Sequence, residues 1–197
     1  MLKRLFDFFA SFIGLLLLAP LLLLIALAIK LDSPGPVFFR QKRVGQYGEL
    51  FRIHKFRSMT VDAPSTGLQI TVGEDIRITR VGGALRKYKL DELAQLIDVL
   101  NGSMSLVGPR PEVPFYVDFY PDEIRKIVFS VKPGITDWAS IKYKDENEIL
   151  SKSDDPQRTY VDEVLPIKLR YYVEYVQNRS FFNDIKIIYS TLLAILR

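Results

Sequence analysis

The chain has 197 residues, 48% hydrophobic, with 27 Lys and Arg against 23 Asp and Glu for a net charge of +4. That length suits one domain with a sizeable core, or one domain plus an appendage. Cysteine is absent and histidine occurs once, which excludes disulfides, zinc-type Cys spacing and His-rich metal centres. Arg and Lys crowd between Lys30 and Lys89, whereas Asp145 to Glu163 is acid-rich.

Phe8 to Ile29 carries no charged residue and is Leu-rich, the composition of a membrane helix. Pro20 interrupts it and predicts a kink, because proline lacks the N–H and clashes with the Leu16 carbonyl. The arms on either side, 12 and nine residues, reach about 18 and 14 Å, short of a hydrocarbon core of about 30 Å. Lys3 and Arg4 precede the run, and Lys30, Arg40, Lys42 and Arg43 follow it. Positive charge favours the cytoplasmic side, so both ends prefer the same side. A bent helix that enters and leaves one leaflet satisfies both; a kinked span remains the alternative.

The turn cluster Asp32-Ser33-Pro34-Gly35-Pro36 ends this helix. Val37 to Arg43 and Leu50 to Met59 then read as two strands joined through Gly45-Gln46-Tyr47-Gly48. Lys55 and Arg57 share a strand face and form a phosphate grip or a solvated edge. His54 reads as structural. Asp62 to Thr71 reads as a loop, and Arg77 to Lys87 as a short helix.

Leu90, Leu93, Leu96, Ile97 and Leu100 predict a helix from Leu90 to Leu100, stopped by Asn101-Gly102. Asp91 and Glu92 fall in its first turn, with Arg80, Arg86, Lys87 and Lys89 nearby. Adjacent carboxylates facing cations suit metal binding, attack on phosphorus, or both; acidic residues in a first turn are also ordinary helix design. Ser105-Leu106-Val107 reads as a buried strand. In Gly108-Pro109-Arg110-Pro111 two prolines fix the backbone around Arg110, whose planar fork suits phosphate. Pro121 to Val131 reads as a helix, Asp137 to Ile141 as a short strand or loop, and Lys144 to Arg158 as an irregular surface excursion. Val164 to Gln177 and Phe181 to Leu196 are helices, the last suited to core packing or to the membrane interface.

In order, these segments resemble the bacterial sugar transferase family, the monotopic phosphoglycosyl transferases. The matching text is Lys3-Arg4 with Asp7, Gly35-Pro36-Val37-Phe38-Phe39, Lys55-Phe56-Arg57-Ser58-Met59, Leu90-Asp91-Glu92-Leu93, Met104 to Pro111, Lys132-Pro133-Gly134-Ile135-Thr136 and Asp184-Ile185-Lys186. The resemblance implies an α+β monotopic membrane protein. A Pro-broken re-entrant helix over 1–31 would precede a cytoplasmic catalytic domain over 32–197, with a small β-hairpin and interfacial amphipathic helices. It implies transfer of a sugar-1-phosphate from a UDP-sugar to polyprenyl (undecaprenyl) phosphate, releasing UMP, at the cytoplasmic face of the bacterial inner membrane. This step begins a surface glycan such as an exopolysaccharide. By resemblance Asp91 is the nucleophile that forms a covalent phospho-sugar intermediate, and Mg²⁺ is held at Asp91 and Glu92. The phosphate-facing cations are Lys55, Arg57, Arg86 and Arg110. A homodimer stays open. Where the family usually has Gly, an aromatic or aliphatic residue, Ala and Gln after Ile135-Thr136, this chain has Asp137-Trp138-Ala139-Ser140. Larger relatives carry a further membrane domain in front, so the chain resembles the minimal catalytic form. The competing readings are a non-catalytic membrane-anchored binder of anionic lipid and a single-span protein with a cytoplasmic interaction domain. No nucleic-acid motif is present, and nucleic acid ranks low as a partner.

Overall fold

The computed structural model describes residues 2–62, 70, 73, 75–143 and 146–196. Helix α1, Leu2–Asp32, is 31 residues long and contains Pro20. The helical winding continues through Pro20. Proline removes one backbone bond, and the intact turns on either side keep the helix wound. Along α1 only a narrow stripe is buried, formed by Asp7, Ser11, Ile25 and Ile29. Much of the rest, including Phe9, Phe12, Leu16, Leu17, Leu23 and Leu24, is exposed, while Leu15, Leu18 and Leu22 are partly buried. The helix is long and apolar enough to cross a membrane.

Both ends of α1 are fastened to the same body. Near its start, Lys3 Nζ donates to Asp184 Oδ2 (2.6 Å), and Asp7 accepts from Ser105 Oγ (2.8 Å). Near its end, Asp32 accepts from the Val81 amide (3.0 Å), and Ile25 and Ile29 pack on Phe56, Leu85 and Ala94.

Strands β1 (Phe38–Val44) and β2 (Leu50–Phe56) form an antiparallel hairpin, with Phe39 opposite Lys55. The expected turn closes it, with positive φ at Tyr47 and Gly48. The loop expected from Asp62 to Thr71 lies mostly outside the described residues. Helix α2 (Arg80–Lys87) starts at Thr79, whose side chain caps the Gly82 amide. A Cβ on Gly82 would lie 2.0 Å from the Ser58 carbonyl oxygen, so only glycine lets α2 approach the end of β2 this closely.

Lys89, in the left-handed conformation (φ 54°), turns the chain out of α2. The predicted helix from Leu90 is two pieces: a 3₁₀ turn at Leu90–Gln95 and helix α3 at Leu96–Asn101. Gly102 (φ 90°) supplies the expected stop. Strand β3 (Ser105–Val107) pairs in parallel with β4 (Gly134–Thr136). Between them lie helices α4 (Pro114–Val117) and α5 (Asp122–Val128).

Asp137 to Ile141 is helical rather than strand or loop. Asp137 caps helix α6 (Trp138–Lys142), its carboxylate accepting from the Ser140 amide (3.0 Å) and hydroxyl (2.6 Å). These two departures from the family text form one unit. Lys144 and Asp145 fall outside the described residues, and the segment after them is helical rather than irregular, with most of 146–158 at the surface. It folds as α7 (Glu146–Ser151), α8 (Pro156–Thr159) and a π turn at Tyr160–Val164 that runs into α9 (Leu165–Gln177). Its Leu150 and Tyr160 are each 1% exposed, in the core with Tyr116, Leu165 and Tyr172. Helix α10 (Phe181–Leu196) exposes Phe182, Tyr189 and Leu192.

Candidate active site

The 3₁₀ turn at Leu90–Gln95 packs against β2, which brings Asp91 and Glu92 to the Lys55 face of the hairpin. Asp98, 3% exposed on α3, locks that arrangement. It accepts from the His54 amide (2.7 Å) and meets His54 Nδ1 (2.7 Å). The single histidine is therefore a structural link, next in sequence to Lys55. At the far end of α3, the Arg4 guanidinium donates to the Val99 (2.5 Å) and Leu100 (3.0 Å) carbonyls, adding to the Gly102 amide that already caps Val99 O (3.0 Å).

Glu92 is gripped by two cations. Lys55 Nζ donates to its Oε1 (2.7 Å) and Arg110 Nη1 to its Oε2 (3.0 Å), while Arg110 Nη2 also donates to Oε1. Burial alone would raise the Glu92 pKa, but the charges and hydrogen bonds of Arg110 and Lys55 hold it well below the usual carboxylate range. Burial pushes Lys55 down, with Glu92 opposing. Glu92 holds Arg110 well above its ordinary value against the effect of burial.

Asp91 is the contrasting member of the pair. It is 7% exposed, and no hydrogen bond to its carboxylate occurs among the described residues. Burial raises its pKa, and the Glu92 charge adds to this; Lys55, Arg86 and Arg110 oppose it. The result is a desolvated, basic carboxylate within reach of several positive charges, beside a second carboxylate already neutralised. Such a group can attack an electrophile or take a cation.

Lys55 and Arg110 thus converge on the dyad, and Arg86 on α2 acts on Asp91 through its charge. Arg57 does not join them. It is 5% exposed, and its donors are committed to the end of α1. Nε donates to Pro36 O (2.7 Å), Nη1 to Ser33 Oγ (2.8 Å) and Pro34 O (2.9 Å), and Nη2 to Ser33 O (2.8 Å) and Ile29 O (3.5 Å). A guanidinium has five N–H donors, so none remains for a phosphate. Arg57 is a clamp for the turn Ser33–Pro36, and it lies just beyond β2, which ends at Phe56, so it does not share the strand face with Lys55.

Among the described residues no three His, Asp or Glu side chains cluster to hold a metal. Mg²⁺ commonly takes one or two carboxylates plus substrate phosphates. Asp91 fits that pattern. Glu92 is already neutralised, both its oxygens accepting from cations, which makes it the weaker candidate of the two. An open groove of about 650 Å³ between the hairpin turn, α4 and α5 includes neither dyad residue in its lining.

Sequence reasoning missed Asp98, Gln95 and Glu112. Gln95 is 1% exposed with both amide atoms unpartnered. It lies three residues after Glu92, and side chains at that spacing eclipse on a 3₁₀ turn. Glu112 directly follows Arg110-Pro111, a proximity visible in the sequence.

The profile of the bacterial sugar transferase family matches residues 1–197. The chain belongs to the bacterial sugar transferase family. Similar members include the UDP-N-acetylgalactosamine-undecaprenyl-phosphate N-acetylgalactosaminephosphotransferase of Aeromonas hydrophila, 40% identical over 98% of this chain and 43% of the relative. The UDP-glucose:undecaprenyl-phosphate glucose-1-phosphate transferase of Escherichia coli (strain K12) is 40% identical over 98% of this chain and 39% of the relative. The exopolysaccharide production protein PSS of Rhizobium leguminosarum bv. phaseoli is 38% identical over 98% of this chain and 94% of the relative. The chain thus spans about two fifths of the first two sugar transferases and nearly all of the third.

Proposed function

We propose that this bacterial sugar transferase moves a sugar-1-phosphate from a UDP-sugar to undecaprenyl phosphate, with Asp91 as nucleophile. The observation that carries the reading is the pairing of a buried Asp91, without a hydrogen bond to its carboxylate among the described residues, with a Glu92 held by Lys55 and Arg110. The names of the relatives point to the same donor and acceptor classes. They also differ in sugar at equal identity, so the sugar is left to experiment.

An Asp91 oxygen forms a bond to the sugar-bearing phosphorus, the bond from that phosphorus to the bridging oxygen breaks, and UMP leaves with the electron pair. A phosphate oxygen of undecaprenyl phosphate then attacks the same phosphorus and breaks the acyl-phosphate bond. This yields the diphosphate-linked sugar and returns Asp91 as a carboxylate. Lys55 and Arg110, fixed by Glu92, place positive charge beside the dianionic donor at no reorganisation cost. Burial makes Asp91 more basic and hence a better nucleophile once ionised. Mg²⁺, held by Asp91 with the donor phosphates, would supply further charge neutralisation. Acceptor phosphate is already an anion near neutral pH, so no general base is required, and Glu92 serves as the anchor of the two cations.

The same reading places α1 in one leaflet at the cytoplasmic face. Support comes from its exposed apolar surface, from the Lys3 and Asp32 ends both bonded to one body, and from cations flanking both ends. The functional test is UMP release from a panel of UDP-sugars with undecaprenyl phosphate and Mg²⁺. Lipid-dependent release from one sugar, abolished by Asp91→Asn, is expected. Release by Asp91→Asn at the wild-type rate would remove Asp91 from the reaction, and silence across the panel in folded protein would favour a lipid-binding role.

A further inference from the structure

Arg110 is only as well placed as the loop Gly108–Val113 that carries it. That loop is pinned from three sides. Beside β4, the Gly108 amide donates to Thr136 O (3.1 Å) and the Gly134 amide to Pro109 O (2.9 Å). A Cβ on Gly134 would lie 2.1 Å from the Gly108 nitrogen, so the two backbones meet without side chains between them. From β1, the Val44 amide donates to Glu112 O (2.9 Å), and Arg43 Nη1 donates to Pro111 O (3.0 Å) and Glu112 Oε1 (3.3 Å).

The third side is formed by the π turn at Tyr160–Val164 and the start of α9. Glu112 is 8% exposed and accepts from the Tyr160 hydroxyl at 2.6 Å. Tyr160 opens the π turn, a rare winding that is frequent at functional sites. Lys168, 5% exposed, donates to the Tyr160 oxygen (3.2 Å) and to Glu146 (2.8 Å), and lies 5.0 Å from the Tyr160 ring centroid. A buried ammonium, phenol and carboxylate cost desolvation that apolar side chains of similar shape would avoid. What the network gains for the molecule is a rigid hold two residues from Arg110. Asp137, which caps α6, and Tyr172 lie within electrostatic reach of Arg110 from the same side.

We propose that Glu112, Tyr160 and Lys168 are positioning residues that hold the Gly108–Val113 loop and thereby set Arg110 against the donor phosphate. The segment 146–168 is thus part of the reaction machinery rather than its cover. The inference goes beyond the transferase reading, and only its kinetic test rests on it.

Tyr160→Phe deletes one hydroxyl and keeps the ring. Hydrogen–deuterium exchange on the full chain should show amides in 108–113 exchanging at least about tenfold faster, with α10 unchanged. Unchanged exchange in the loop overturns the proposal whether or not the chain is a transferase. In UMP release, Tyr160→Phe should lower kcat/KM by roughly 10- to 100-fold, as small displacements of a charge-bearing group do. Combined with Arg110→Lys it should add little further loss, while the two Tm changes add. Multiplying kinetic losses would show a merely structural hydroxyl and overturn the proposal. Glu112→Gln, which keeps shape, should give the same non-additivity and serves if Tyr160→Phe folds poorly. A wild type inactive on every donor would remove the transferase reading while the exchange result still decides the loop.

Discussion

Arg57 decides between two roles for a buried cation. Four of its hydrogen bonds, at 2.7, 2.8, 2.8 and 2.9 Å, reach the turn Ser33–Pro36, and the fifth, at 3.5 Å, is weak. Bonds to a charged group contribute about 1.5–3 kcal/mol each, but the four share one guanidinium and do not add. Pro34 and Pro36, two of the accepting residues, are exposed, so water recovers part of the loss. Arg57→Ala should therefore cost about 3–5 kcal/mol, the range for breaking a buried charged contact. For a chain of this size that lowers Tm by about 6–20 °C. Arg57→Lys offers at most three donors from a single point and should recover less than half. Thermal unfolding in detergent, followed by Trp138 fluorescence, measures this, with donor KM determined on the folded protein. Arg57→Lys at wild-type Tm but with sharply weakened donor binding would refute the clamp and restore a phosphate contact.

Asp91→Asn should raise Tm at pH 7. A carboxyl whose folded pKa lies above its unfolded value of about 3.9 is ionised at a cost above the folded pKa, and the cost vanishes below the unfolded one. The stabilisation should accordingly disappear as pH falls below about 4; an Asp91→Asn Tm equal to or below wild type at pH 7 would contradict the burial argument. Glu92 carries the opposite sign, contributing stability above its unfolded pKa that is lost as pH falls through its depressed folded value. Glu92→Gln should destabilise by about 3–5 kcal/mol at pH 7, because Lys55 and Arg110 lose their shared anion, and urea unfolding would show it. Gln95→Leu should leave stability unchanged or raise it by up to about 1–3 kcal/mol, since it removes a buried amide without partners; a large loss of Tm would mean that the amide has a partner.

Local signals were readable where one residue decides the backbone. Asn101-Gly102 stopped α3 where expected, Gly45 to Gly48 closed the hairpin, and Phe181 to Leu196 formed one helix. The dyad and its cations Lys55 and Arg110 were nameable from residue type and spacing. Arg57 was misplaced because a period-two pattern says nothing of where a strand ends. The 3₁₀ winding at Leu90 followed from a left-handed Lys89, a conformation that lysine does not advertise. Asp137 was read without its partner, although Asp is a favoured residue at a helix N-cap. Tyr160, Glu112 and Lys168 meet only through the tertiary fold, and no local pattern of an acid-rich stretch reveals a buried network.

The most direct measurement is the intact mass of the purified protein after incubation with its UDP-sugar and Mg²⁺ without lipid acceptor. Wild type should gain the mass of one sugar phosphate, mapped to Asp91, and lose it when undecaprenyl phosphate is added. Asp91→Asn should gain nothing. An adduct that forms equally in Asp91→Asn, or rapid turnover by wild type through direct transfer with no adduct at any time, would contradict nucleophilic attack by Asp91.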